Sequence, residues 1–289
     1  MRVRPFDTGV VTISLDTELG WARVNTGEYD DVAGRLDEGR MGIRRLLSAF
    51  DEYGVPATWA VVGRLVDPAK PSAGLEALPT VADDLPWDRD WWRMPSLVSE
   101  IRAAEVDHEV ASHSGSHLLY DRLSSAQARE DLAYFRETVG GPSTGASFVF
   151  PQNRTGNVDA LRDHGFGCYR GLSSVTGGTP TPIPVLPRRT DGLVNVPLSA
   201  GYRHFENRHP LLRSAPVGAK VATLRVGTRL AARTGRVFHV ALHPKDFALA
   251  DGEALLSGFE RWLASVAAME RRGTLTVLPM GEVARRAEW

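Results

Sequence analysis

Residues 108–118 read His-Glu-Val-Ala-Ser-His-Ser-Gly-Ser-His-Leu and place His113 and His117 four positions apart, directly after a short apolar strand-like run. Imidazoles at that spacing share one face of a helical turn, so both rings can direct a nitrogen to the same point. Convergent ring nitrogens are what a divalent metal ion requires. The serines between them favour access by water over apolar packing. A histidine pair alone fits a structural role as well as a metal site, so a carboxylate from elsewhere must complete it.

Two carboxylates, Asp16 and Glu18, stand at the end of another predicted strand. Residues 10–15, Val-Val-Thr-Ile-Ser-Leu, form a β-rich run that begins after Gly9. Side chains two residues apart in extended backbone lie on the same side, and catalytic groups collect at strand ends in α/β proteins. The alternative interpretation is that one carboxylate only caps or solvates a loop.

The rest of the chain alternates between predicted strands and helices. Helical spacing of apolar residues followed by Tyr-Gly predicts a helix over 39–54, and Pro-Ala-Thr-Trp-Ala-Val-Val-Gly predicts a strand over 56–63. This order implies a parallel pair with a crossover. About eight such strands predict an α/β protein with a parallel sheet, open or closed into a barrel. Further strands are predicted at 109–112, 147–151, 169–171, 193–197, 236–242 and 275–278, and further helices at about 96–105, 124–139, 156–164 and 253–272.

Composition narrows the classes of function. The 289 residues show no composition shift that marks a boundary, so one catalytic domain over 1–289 is expected. The charges of the 35 acidic and 34 basic residues nearly cancel, which argues against nucleic-acid binding. The single cysteine, Cys168, excludes an internal disulfide framework. No apolar run approaches the ~20 residues of a membrane span, and the N-terminus lacks a signal-like apolar core, so a cytoplasmic location is predicted.

Several motifs in order resemble the polysaccharide deacetylase family, also called the NodB-homology group or carbohydrate esterase family 4. The sequence Ser-Leu-Asp-Thr-Glu at 14–18 resembles its Thr-Phe-Asp-Asp motif, and Ala-Thr-Trp-Ala-Val-Val-Gly at 57–63 resembles its Ala-Thr-Phe-Phe-Val-Val-Gly strand. His-Ser-Gly-Ser-His at 113–117 matches its His-Ser/Thr-x-x-His motif without gaps. Phe-Val-Phe-Pro at 148–151 and Leu-His-Pro at 242–244 stand where the family has Arg-Pro-Pro and Leu-Leu-His.

The resemblance implies a NodB-like, distorted (β/α) barrel with about seven or eight mostly parallel strands. It also implies a metal-dependent deacetylase that removes an N-acyl group, with acetyl expected, from an amino-sugar-containing substrate. One divalent ion, with zinc expected, would be held by Glu18, His113 and His117. Asp16 would be the catalytic base and His243 the general acid. Because the family's second carboxylate is an aspartate adjacent to the first, the reverse assignment of Asp16 and Glu18 stays open.

The sequence departs from the family pattern at two places. The arginine beside the base is absent from the Pro151 strand, and Arg154 or Arg170 is expected to replace it from nearby. The aspartate that orients the acid histidine has no clear counterpart, so Asp246 and Asp191 are candidates. These departures indicate a substrate other than chitin or peptidoglycan. The candidate substrate-binding residues are Trp21, Asn153, Arg154 and Arg170.

The expected partner is a small amino-sugar or glycoside substrate, with no nucleic acid and no membrane span, and the sequence leaves the oligomeric state open. One alternative is a metal-dependent amidohydrolase or deformylase that uses the same residues on a non-polymeric amide. Another is a non-catalytic carbohydrate-binding relative. The presence of both carboxylates with both histidines argues against the second alternative.

Overall fold

The first strand, β1 (Gly9–Thr17), lies at the centre of the sheet in the computed structural model, and all nine of its residues are buried. Its valine, isoleucine and leucine side chains form an almost continuous apolar run, which is typical of a parallel strand covered on both faces. Strand β1 pairs in parallel with β2 (Thr58–Val61), β9 (Val237–Leu242) and β10 (Leu275–Val277). The structure describes residues 6–67, 69–70, 72, 74–140, 147–173, 182–202, 215–248 and 250–287.

The other six strands are β3 (Glu109–Ser112), β4 (Ser147–Val149), β5 (Cys168–Arg170), β6 (Arg188–Thr190), β7 (Leu193–Asn195) and β8 (Ala200–Gly201). All ten strands of the described residues belong to one curled sheet, with the order β6-β7-β5-β4-β3-β2-β1-β9-β8 and with β10 beside β1. Every pair of these strands is parallel except β6 and β7. The predicted mostly parallel sheet is therefore confirmed.

Helices connect the strands and cover the sheet. The predicted helix over 39–54 is observed with a left-handed Gly54 at its C-terminal end, where glycine avoids the steric cost of positive φ. The predicted helix over 124–139 is also confirmed, and Ser124 and Gln127 form a capping box at its start. The helices of the described residues are α1 (Ala33–Asp37), α2 (Gly39–Tyr53), α3 (Gly63–Val66), α4 (Leu97–Arg102), α5 (Ser125–Val139), α6 (Val158–Asp163), α7 (Val217–Thr234), α8 (Ala250–Arg271) and α9 (Met280–Arg286).

Helix α7 packs closely on the sheet beside β9. A Cβ atom at Gly227 would lie 2.2 Å from the ring of Phe238, so only glycine permits this approach. On the next helix, the indole N–H of Trp262 donates to Thr228 Oγ1 at 3.0 Å. The close approach of Gly227 to Phe238 packs helix α7 against β9, the strand that leads directly to His243.

Within the described residues, no helix is both long enough and apolar enough to cross a membrane. The cytoplasmic location and the single domain over 1–289 stay predictions.

Candidate active site

Polar side chains from four strands meet at the C-terminal edge of the sheet. Asp16 ends β1 and Glu18 follows it, while His113 follows β3, Arg170 ends β5 and His243 follows β9. Because parallel strands present their C-terminal ends at the same edge, residues far apart in the chain come together there. All five side chains are buried.

The two histidines are brought together by an irregular turn, so the helical turn expected from their spacing is wrong. Strand β3 ends at Ser112, and the chain then takes positive φ at Ser114 (73°) and at His117 (56°). These two left-handed residues fold the chain back on itself. The imidazole centroids of His113 and His117 consequently lie 4.9 Å apart.

Asp131, on helix α5, holds this turn in place. Its Oδ2 accepts hydrogen bonds from Ser114 Oγ at 2.7 Å, from the Gly115 amide at 2.8 Å and from the Tyr120 hydroxyl at 2.8 Å. Burial raises the pKa of Asp131, although the three donors act in the opposite direction. The sequence analysis did not identify Asp131, since a polar residue within a helix has no local feature that reveals a contact with another segment.

Glu18 directs one carboxylate oxygen toward both histidines. Its Oε2 lies 3.2 Å from His113 Nε2 and 2.9 Å from His117 Nε2. The three candidate ligand atoms all lie within 4.8 Å of one another. Zinc binds nitrogen and oxygen ligands at about 2.0–2.2 Å, and atoms this close together can reach a common ion. Within the described residues, this is the group of side chains that could hold a metal ion.

Both imidazoles direct Nε2 toward the same carboxylate oxygen of Glu18. His113 Nδ1 lies 2.8 Å from the Val149 carbonyl oxygen, which can only accept, so Nδ1 carries the proton. The other ring nitrogen, Nε2, faces Glu18 Oε2 at 3.2 Å. His117 Nε2 is buried 2.9 Å from Glu18 Oε2, and His117 Nδ1 lies 3.4 Å from the amide nitrogen of Asn25. Burial lowers the pKa of His117, which favours the neutral imidazole. Two imidazole nitrogens and a carboxylate oxygen form a ligand set that fits a divalent ion.

Asp16 is bound by Arg170 through both oxygens. The guanidinium Nη1 donates to Oδ1 at 2.5 Å and Nη2 donates to Oδ2 at 2.7 Å. Burial alone would raise the pKa of Asp16, but the positive charge of Arg170, with smaller contributions from His113 and His243, holds it well below its usual range. Asp16 is therefore ionised at neutral pH. Its Oδ2 is 3.9 Å from His113 Nε2, farther than Glu18 Oε2.

Arg170 is itself oriented by a buried hydrogen-bonded chain. Its Nη1 also donates to Ser14 Oγ at 3.0 Å, and Ser14 Oγ lies 2.8 Å from His239 Nε2. His239 Nδ1 lies 3.1 Å from the Val196 carbonyl oxygen. Burial, together with the nearby positive charge of Arg170, lowers the pKa of His239 to about 3, so the ring is neutral. The sequence analysis did not identify His239, because it lies within an apolar strand.

The other oxygen of Glu18 has two further neighbours. His243 Nε2 lies 3.2 Å from Glu18 Oε1 and 3.7 Å from Asp16 Oδ2. Lys245 Nζ donates to Glu18 Oε1 at 2.5 Å. Burial would raise the pKa of Glu18, but Lys245 and then His243 hold it well below its usual value. Lys245 was not among the candidates, although its place just after a strand end was a usable signal.

The four candidate substrate-binding residues have other contacts. Trp21 is fully buried and donates to the Trp92 carbonyl at 3.0 Å, so the structure corrects its predicted role to packing. Asn153 Oδ1 accepts from Arg170 Nε at 3.2 Å. Arg154 pairs with Asp121, with Nη2 and Oδ2 2.6 Å apart. Of the two arginines that could have replaced the family arginine, only Arg170 contacts Asp16.

The two candidates for an acid-orienting aspartate lie in different surroundings. Asp191 is exposed in the turn between β6 and β7. Asp246 lies three residues after His243, and its amide donates to the His243 carbonyl at 3.1 Å. That bond shapes the backbone of the turn that carries the histidine.

Comparisons with known proteins agree with this architecture. Residues 28–154 match the family model described as Polysaccharide deacetylase. A putative polysaccharide deacetylase from Mycobacterium smegmatis is 17% identical with a TM-score of 0.71, and the match covers 99% of this chain and 92% of that one. A probable polysaccharide deacetylase from Pseudomonas aeruginosa PAO1 is 14% identical with a TM-score of 0.66, covering 96% and 90%.

A structure of Puue allantoinase is 15% identical with a TM-score of 0.65, covering 96% of this chain and 89% of that one. At these identities the structural likeness establishes the shared fold, and the predicted NodB-like architecture is confirmed. A comparison with curated protein sequences gives no significant match.

Proposed function

Residues 28–154 match the family model described as Polysaccharide deacetylase, and on that premise we propose that this chain is a member of the family and a metal-dependent hydrolase. Its proposed reaction removes an N-acyl group, with acetyl expected, from a small amino-sugar-containing substrate. The observation that carries the proposal is the division of the two carboxylates. Glu18 Oε2 faces the histidine pair, whereas both oxygens of Asp16 are bound by Arg170.

Glu18, His113 and His117 would hold the ion, because their candidate ligand atoms all lie within 4.8 Å of one another. A divalent ion there would polarise the amide carbonyl and activate a water molecule as a nucleophile. Zinc is the expected ion because two imidazoles and one carboxylate leave a position free in its usual tetrahedral coordination.

Asp16 is proposed as the base. Its carboxylate is ionised and held rigidly by Arg170, so it can accept a proton from water that attacks the substrate. The bidentate pair leaves Asp16 little freedom to turn toward the histidines as a ligand. This arrangement favours Asp16 as base and Glu18 as ligand over the reverse assignment.

His243 is proposed as the general acid that protonates the departing amine. Its Nε2 is 3.7 Å from Asp16 Oδ2, so acid and base border the same small space. General acid–base catalysis requires a proton acceptor and a proton donor near the scissile bond. The same residues would serve on a non-sugar amide, so the substrate class must be decided by experiment.

Metal content and turnover test this proposal together. We expect one divalent ion per chain in the wild type, and less than about 0.1 ion per chain in His113→Ala and His117→Ala, because a zinc site rarely survives loss of one of three protein ligands. Asp16→Asn should keep the ion but lose at least ~1,000-fold in kcat for acetate release. Elemental analysis and a coupled acetate assay on N-acetylated amino sugars and small amides give both readouts.

Two outcomes would contradict the assignment. Loss of metal from Asp16→Asn, with retention in Glu18→Gln, would reverse the roles of the carboxylates. A wild-type protein that binds sugar but releases no acyl group with any divalent ion would support the non-catalytic alternative. Circular dichroism of each variant shows that a lost activity is not a lost fold.

A further inference from the structure

The two oxygens of Glu18 have neighbours of opposite kinds. Oε2 faces His113 and His117, whereas Oε1 is contacted by Lys245 Nζ at 2.5 Å and by His243 Nε2 at 3.2 Å. The Lys245 side chain is only 12% exposed. An ammonium group therefore lies inside the site, on the side of the carboxylate away from the candidate metal ligands.

The turn that carries Lys245 is fixed by helix α2. Residues 244–247 form a short 3-10 turn against the helix, and a Cβ atom at Gly42 would lie 2.2 Å from the Pro244 carbonyl oxygen. Arg45 Nη1 donates to the carbonyl oxygens of Phe247 at 3.0 Å and Ala248 at 3.3 Å. Because helix α2 contacts the backbone at both ends of the turn, Lys245 reaches Glu18 from a rigid base.

We propose that Lys245 is a positioning residue that restricts Glu18 to binding a metal ion through Oε2 alone and that lowers the affinity of the site for the ion. The inference rests on the proposed function, because it needs Glu18 to be a metal ligand. A carboxylate can bind an ion through one or both oxygens. With Oε1 engaged by an ammonium group, only Oε2 is available.

Two physical consequences follow. A one-oxygen carboxylate leaves a coordination position open, which a catalytic site needs for water and substrate. A positive charge held within a few ångströms of the ion also repels it, and this repulsion is strong in a buried site with a low effective dielectric. Lys245 would thus lower the metal affinity of the site and keep one coordination position open.

Substitution of Lys245 tests the inference by metal binding, without the need for a substrate. Cobalt is the probe, because its visible absorption weakens as coordination number rises. We expect Lys245→Met and Lys245→Gln to bind Co²⁺ at least ~10-fold more tightly than the wild type in chelator competition, because the repelling charge is gone. Their absorption per bound ion should fall, because Glu18 can then bind through both oxygens.

Matched variants separate this effect from a general change in charge. Lys245→Arg keeps the charge and should stay within ~3-fold of the wild-type affinity. Lys70→Met removes one of the other two lysines of the chain, an exposed one, and should leave both affinity and spectrum unchanged. Thermal unfolding of each metal-free variant shows whether the fold is retained.

An unchanged or weaker Co²⁺ affinity in Lys245→Met and Lys245→Gln, with wild-type spectra, would overturn the inference and leave the proposed function intact. A wild-type protein that binds no Co²⁺ or Zn²⁺ would overturn the proposed function itself, and the inference with it. The wild-type measurement therefore distinguishes the two failures.

Discussion

The sequence offered Arg154 and Arg170 equally as the arginine beside Asp16, and the structure distinguishes them by their surroundings. Arg170 is fully buried and binds both oxygens of Asp16, with Ser14 and Asn153 as further acceptors. Arg154 pairs with the partly exposed Asp121. A buried charge whose partner is removed stays in a medium of low dielectric, whereas a surface charge recovers its hydration.

We expect Arg170→Met to lower the free energy of unfolding by about 3–5 kcal/mol, because Asp16 would be left buried and unpaired. Arg154→Met should cost no more than about 1 kcal/mol, as is usual for a surface pair. Urea denaturation of both variants gives the comparison. The double variant Asp16→Asn/Arg170→Met should recover part of the loss, and equal losses in the two single variants would contradict the assignment of Arg170.

At the level of elements, the turn after β3 depends on helix α5. Asp131 supplies the acceptor for Ser114, Gly115 and Tyr120, so the helix sets the shape of a turn that it does not belong to. The turn includes two residues with positive φ, a conformation that costs free energy unless the surroundings impose it. The geometry of the histidine pair is therefore a property of the packed helix and turn together.

Asp131→Ala should weaken metal binding by about 10- to 100-fold, the usual effect of losing a group that orients metal ligands. Asp131→Asn keeps an oxygen acceptor and removes a charge that burial disfavours, so its metal affinity should stay within about 5-fold of the wild type. Titration with Zn²⁺ against a chelator measures both. Equal affinities in the alanine variant and the wild type would show that the turn holds its shape without Asp131.

For the whole molecule, acid stability is expected to depend on His108, a half-buried histidine. His108 lies between Phe50 and Trp59, with ring centroids 5.5 and 5.9 Å away, and its Nδ1 accepts from the Ala57 amide at 3.1 Å. Burial lowers the pKa of His108 from 6.5 to about 4, against the opposing effect of Asp51 and Asp107. Its folded-state pKa is thus below its unfolded value.

Between pH 6.5 and about 4 the unfolded chain binds a proton at His108 that the folded chain does not, so this contribution to stability is complete above pH 6.5 and is lost as the pH falls. The loss is at most about 3–4 kcal/mol, since one pKa unit is worth about 1.4 kcal/mol. His108→Asn keeps an acceptor for Ala57 and removes the titration. Urea midpoints from pH 7 to 4 should therefore fall less in this variant, and parallel curves would contradict the prediction.

Local patterns determined much of the architecture. The apolar run at 10–15, the glycine stop at Gly54 and the Ser124 cap were readable because burial on both faces, positive φ and the capping of free amides act within a few residues. Strands β6 and β8 escaped prediction: β6 is polar and exposed, and β8 is only two residues long. The paired histidines and the two carboxylates were also identified from sequence, since each follows a recognisable strand.

Tertiary structure alone decided how those groups are paired. Asp16 lies 154 positions from Arg170 and Glu18 lies 227 positions from Lys245, so no local pattern relates them. Parallel strands bring these positions to one edge of the sheet, and the two oxygens of each carboxylate then acquire different neighbours. The amino-acid sequence specified which chemical groups are present, and the packing of distant strands specified which atoms they contact.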